Sequence, residues 1–82
     1  MTDIEQVTLV AERIKPLLAG HEPEVQGAVL ADLLGLWLAG HQVPGDVDAT
    51  RTLRAELLAL HCAAVRTLTA VNAMIIGTCR DG

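Results

Sequence analysis

Residues 23–39 read PEVQGAVLADLLGLWLA, and this stretch decides the fold. A proline at its first position suits the opening turn of a helix, where its missing N–H leaves no bond unmade. Wound at about 100° per residue, the stretch is apolar on nearly every side. Val25, Val29, Leu30, Leu33, Leu36 and Trp37 form a broad bulky face, with Leu34 at its margin and Leu38 just beyond. Gly27, Ala31, Gly35 and Ala39 recur every fourth residue as a strip of small side chains. A helix apolar all round belongs at the centre of a fold, and a small-residue strip lets another helix backbone approach closely. Each glycine costs about 1 kcal/mol of helix propensity relative to alanine, so close packing has to compensate. The apolar run is shorter than the ~20 residues of a membrane span, and Asp32 interrupts it. No membrane is expected as partner.

Upstream, a first helix is expected over about 3–19. Thr2 followed three residues later by Glu5 fits a capping box, and Asp3 and Glu5 suit the positive end of the helix dipole. Ile4, Val7, Val10, Ala11, Ile14, Leu17 and Leu18 share one side. Pro16 removes a backbone donor inside this pattern, which predicts a kink, or a break and restart. Gly20 then stops the helix. The second helix spans about 23–39 and is followed by Gly40. Leu18-Ala19-Gly20-His21 and Leu38-Ala39-Gly40-His41 repeat the same four residues. The repeat reads as one stop signal used twice rather than as a duplication.

Downstream of the loop HQVPGD (residues 41–46), a third helix begins near Asp46 or Asp48, either of which can cap it. It is expected over about 47–76, ending at Gly77, with a frayed tail from Thr78 to Gly82. Leu53, Leu57, Leu60, Ala64, Leu68, Val71 and Ile75 recur at three- and four-residue steps, a heptad-like seam. Leu58, Val65 and Ile76 widen it on one flank.

Composition sets the bounds. Eighty-two residues make one domain, 1–82, and 51% of them are hydrophobic. Trp37 is the only aromatic, so the core must be Leu, Val, Ile and Ala. Absence of any period-2 stretch makes the class all-α. A formal charge of −4, with six basic residues scattered, gives no phosphate-neutralising patch, and there is no set of aromatics for base stacking. Nucleic acid is therefore not expected as partner. The acidic, polar start MTDIEQ does not read as a signal peptide. Cys62 and Cys79 lie seventeen residues apart, ~25 Å along one helix, too far to bridge. Free thiols in a reducing cytoplasm follow as the expectation.

Few constellations suggest chemistry. His21, His41 and His61 are twenty residues apart, unlike the close pairs that ligate zinc. His21 and His41 follow helix ends, where a histidine can meet the last carbonyls. Glu22 and Glu24 flank a helix start and complement its dipole better than they form an acid/base pair. Cys62 has no neighbouring base aimed at it, and no serine is present. No catalytic residue, cofactor or metal is expected. One polar group remains. Arg54, His61 and Asn72 lie near one azimuth of the third helix, within its apolar arc. Asp32 and Gln26 on the second helix are candidate partners, because buried polar groups need them. The set Asp32, Arg54, His61 and Asn72 is either a seam fixing helix register or a ligand pocket.

The expected architecture is a three-helix domain. The first two helices form a short antiparallel hairpin packed on the long third helix, whose uncovered half bears Leu68, Val71, Met74, Ile75 and Ile76. Pairing with a second copy through those residues completes the core. The expected role is a non-catalytic interaction or structural module acting as a homodimer, with another protein as a further possible partner. The rival is a sensor or carrier that holds a small, largely apolar ligand between its helices.

Overall fold

The computed structural model describes the backbone of residues 1–81 and the side chains of residues 1–77. Among the described residues the protein is all-helical, with three helices: α1 (Asp3–Leu18), α2 (Pro23–Ala39) and α3 (Val47–Asp81). It divides into two compact units, Met1–Leu34 and Gly35–Gly82, whose boundary falls inside α2.

The first unit opens with the capping box. The Glu5 N–H donates to Thr2 Oγ1 at 3.2 Å, and the Thr2 N–H donates to Glu5 Oε2 at 3.0 Å. Two backbone donors that no helical carbonyl can reach are satisfied this way. Pro16 does not break α1, which runs on to Leu18. The ring lies in the last turn, so only one hydrogen bond is lost before the helix ends. Gly20 then takes φ +84°, a left-handed conformation that a side chain would strain. At the start of α2 the N–H groups of Val25 and Gln26 both reach the Glu22 carbonyl, each at 3.0 Å. Leu18, Gln26 and Leu34 are the half-buried residues of this unit, and none is fully buried.

The second unit begins with the last turn of α2, residues 35–39. A turn follows at Val43-Pro44-Gly45-Asp46, closed by the Asp46 N–H on the Val43 carbonyl at 3.1 Å. Proline presets the second position, and Gly45 supplies φ +76° at the third, the requirement of a type II turn. Asp46, rather than Asp48, caps α3: its Oδ1 accepts from the Ala49 N–H at 2.9 Å. The helix then runs for 35 residues, ~52 Å. It passes through Gly77, where a stop was expected. Gly77 is not among the positive-φ glycines, and a glycine that keeps helical dihedrals weakens a helix without ending it. The tail expected to fray from Thr78 instead continues as helix to Asp81, and Gly82 lies outside the described residues.

The two glycines near the loop are expected to respond differently to substitution. A Cβ on Gly40 would sit at ordinary contact distance, 3.5 Å from the Trp37 carbonyl oxygen, with no positive φ. Gly45→Ala should therefore lower stability by about 1–2 kcal/mol through left-handed strain. Gly40→Ala should stay within about 0.5 kcal/mol of the parent. Thermal unfolding of both variants by circular dichroism checks the contrast.

Candidate interaction surface

No described residue of either unit is fully buried. In a chain that is 51% hydrophobic, that places the apolar faces of all three helices at the surface. On α1, Ile4, Val7 and Leu17 are 79%, 68% and 73% exposed. On α3, Leu53 and Leu57 are half-buried, whereas the seam beyond them is open. Leu68, Val71, Met74, Ile75 and Ile76 are all exposed, Met74 most and Val71 least. A Cβ built at Gly27 or Gly35 would meet no atom within 4 Å. The small-residue strip Gly27, Ala31, Gly35, Ala39 thus has open space at its two glycines.

The polar side chains are used differently from the pairing that the sequence suggested. Arg54 spends its guanidinium on backbone. Its Nε donates to the His41 carbonyl at 3.1 Å, and a terminal nitrogen donates to the Ala39 carbonyl at 2.9 Å. These carbonyls lie at and just beyond the end of α2, where no helical N–H follows to claim them. A planar, forked donor reaches both at once. His41 closes the same end: its Nδ1 lies 2.8 Å from the Trp37 carbonyl. A carbonyl only accepts, so Nδ1 carries the hydrogen. The expectation that a histidine after a helix end meets the last carbonyls describes His41 directly.

Gln26 plays the corresponding part in the first unit, donating to the Leu18 carbonyl at 2.8 Å from the first turn of α2. Each of the first two helices is therefore closed at its C-terminus by a side chain of the helix that follows. Thr50 ties the second corner further. Its hydroxyl accepts from the Val43 N–H at 2.9 Å and lies 2.8 Å from the Asp46 carbonyl, to which it donates.

Trp37 sits between two histidines. His41 meets it edge-on, with ring centroids 4.9 Å apart and planes at 72°; His61 lies 6.0 Å away at 44°. Of the four candidate polar residues, Arg54 and His61 therefore both serve the end of α2 within the second unit. Asn72 is eleven residues beyond His61 on α3, ~16 Å along the axis, and is exposed. Asp32 belongs to the first unit, where it lines an open groove of about 440 Å³ with Glu24, Val25, Ala28, Val29 and Leu33. A second open notch, about 550 Å³, lies against the 42–47 turn and the first two turns of α3.

Among the described residues no three His, Cys, Asp or Glu side chains converge as metal ligands. Cys62 is a half-buried free thiol, and the Cys79 side chain lies outside the described set. Within α3, the span Val47–Gly77 is long and apolar enough to cross a bilayer by length and composition. Comparison with known protein families, with curated proteins and with solved structures finds no match.

The cluster at the end of α2 yields a stability test. Arg54→Lys keeps the charge but cannot fork between two carbonyls. It should lower stability by about 1 kcal/mol, the net worth of an exposed-side hydrogen bond. Arg54→Ala should lower it by more, because the arginine stem is lost as well. Urea unfolding followed by Trp37 fluorescence reads both, since the indole packs at the affected corner.

Proposed function

We propose that this chain is a small non-catalytic helical interaction module that acts as a homodimer. The observation that supports it is the exposed apolar surface. On α3, Leu68, Val71, Met74, Ile75 and Ile76 are all exposed. Such a patch on a lone chain in water invites association, and closed two-fold pairing is the commonest form that association takes.

The rival sensor or carrier needs a lined cavity that encloses its ligand. The two grooves described above are open, which favours the interaction module. In the proposed reading the dimer works in the cytoplasm, with both cysteines as thiols, and no nucleic acid or membrane is its partner. Against a bilayer stands Arg66, which falls in the apolar part of α3. An arginine at the centre of a span opposes insertion by about 2.5–3.5 kcal/mol.

The test is sedimentation equilibrium of the full chain, alone and with anionic vesicles, beside the double variant Leu68→Asp with Ile75→Asp. The parent should run as a dimer or higher closed assembly and stay off the vesicles. The double variant should dissociate or unfold, since the folded state and the assembly are linked by mass action. A parent that is monomeric and well folded at high concentration overturns the reading, as does one that partitions into the vesicles.

A further inference from the structure

The formal charge of −4 is not spread along the chain. The first unit, Met1–Leu34, carries six acidic residues against Arg13 and Lys15, whereas the second carries four acidic and four basic residues. The whole net charge therefore belongs to the first unit, and Lys15 is already paired there with Glu12. The open groove of this unit runs along α2 and is lined by two parallel rows at four-residue steps. Glu24, Ala28 and Asp32 form one row; Val25, Val29 and Leu33 form the row beside it. Glu24 serves the chain itself, at the positive end of the α2 dipole. Asp32 has no such use. It lies in mid-helix, where aspartate is a poor helix former, and its carboxylate makes no hydrogen bond or ion pair among the described residues.

We infer that this groove docks a cationic amphipathic helix of another protein. Charge selects the class of partner. A nucleic acid or an anionic bilayer is repelled by a unit whose whole excess is negative. A second copy meeting this groove with its own would set carboxylates against carboxylates, a juxtaposition that opposes association. A partner with Lys or Arg beside an apolar stripe answers both rows at once. Backbone chemistry selects the helix. All six lining residues lie on α2, whose peptide groups bond along their own helix, so the groove has no free edge for an extended strand. An occupant over Val25, Val29 and Leu33 has to satisfy its own backbone, as a helix does. Its apolar ridge fits between the two rows. Glu24 and Asp32 stand ~12 Å apart along the axis, so basic residues two turns apart on the incoming helix reach both. This inference goes beyond the homodimer reading, which sets self-pairing on α3.

Fluorescence anisotropy with the full chain tests it. The probe is a labelled helical peptide of about 18 residues, with a leucine stripe flanked by lysines, beside a counterpart with glutamates in place of the lysines. The lysine peptide should bind and the glutamate peptide should not. Asp32→Asn should weaken binding about threefold, the scale of one exposed ion pair. Val29→Gln should weaken it roughly tenfold through lost apolar contact. Glu12→Gln removes the same charge away from the groove and should change little. All three substituted side chains are exposed, so the variants keep the fold, which circular dichroism checks. Equal affinity for the two peptides, or no binding of the lysine peptide, overturns the inference. Equal losses from Glu12→Gln and Asp32→Asn also overturn it, as attraction by net charge alone, and so does unchanged affinity in Val29→Gln. Sedimentation without peptide reads self-pairing separately. A dimer that ignores the lysine peptide refutes the groove alone, whereas a monomer that binds it refutes the homodimer alone.

Discussion

Everything in this structure depends on one shortage: the chain has far more apolar surface than its own helices cover. Hydrophobic burial is the main favourable term in folding, and it must exceed a backbone entropy cost of about 1–2 kcal/mol per ordered residue. A domain of this length normally hides about 60% of the surface its unfolded chain exposes. Here not one described side chain is fully covered, although 51% of residues are hydrophobic. Helix propensity alone does not make up the difference, because most helical stability in proteins comes from packing of the apolar face. The composition supplies the apolar groups needed for a core, and among the described residues most of them stay exposed.

Local structure, by contrast, is closed with care. Thr2 and Glu5 close one end of α1, and Gln26 closes the other. Asp46 opens α3, while His41 and Arg54 close α2. Long polar side chains take carbonyls that would otherwise face water or a partner unsatisfied. This economy bears on function. A chain that spends its arginine and glutamine on helix ends keeps its corners fixed while the helix faces stay free. The two Leu-Ala-Gly-His segments show the two solutions side by side. Gly20 turns left-handed after α1, whereas Gly40 does not, and the end of α2 is held by the imidazole and the guanidinium instead.

Elements that rest on local chemistry were legible in the sequence. The capping box, the proline start of α2 and the stop at Gly20 each follow from groups a few residues apart, and the three helices lie where periodicity and punctuation put them. The extension of α3 through Gly77 was not legible, since a glycine reads as a stop only if its φ turns positive, and sequence does not carry φ. The roles of Arg54 and Gln26 were not legible as drawn either. An apolar-arc position suggested a carboxylate partner such as Asp32, but an open carbonyl on the preceding helix competes for the same donor. The signal that would have found it is positional: a long donor in the first turns of a helix that directly follows another helix's end. The exposure of Leu68, Val71 and Ile75 was legible in part, from the mismatch between a long third helix and two shorter ones.

The apolar character of α3 admits a second environment, because its length and composition also suit a bilayer. What separates water from lipid here is the distribution of polar groups around the axis. A helix facing lipid has to be apolar on every side, and ionisable groups at its centre are costly. Around the distal part of α3, Leu68, Val71 and Ile75 lie on one side, Arg66 is opposite, and Thr69 and Asn72 sit between. Thr69 can return its hydroxyl to the Val65 carbonyl, as it does at 2.6 Å, and threonine is at home in lipid on those terms. Arg66 has no such outlet among the described residues. Arg66 is the one charged residue on a side otherwise lined by Ala63, Ala70 and Ala73, and the proposed reading sets that side toward water.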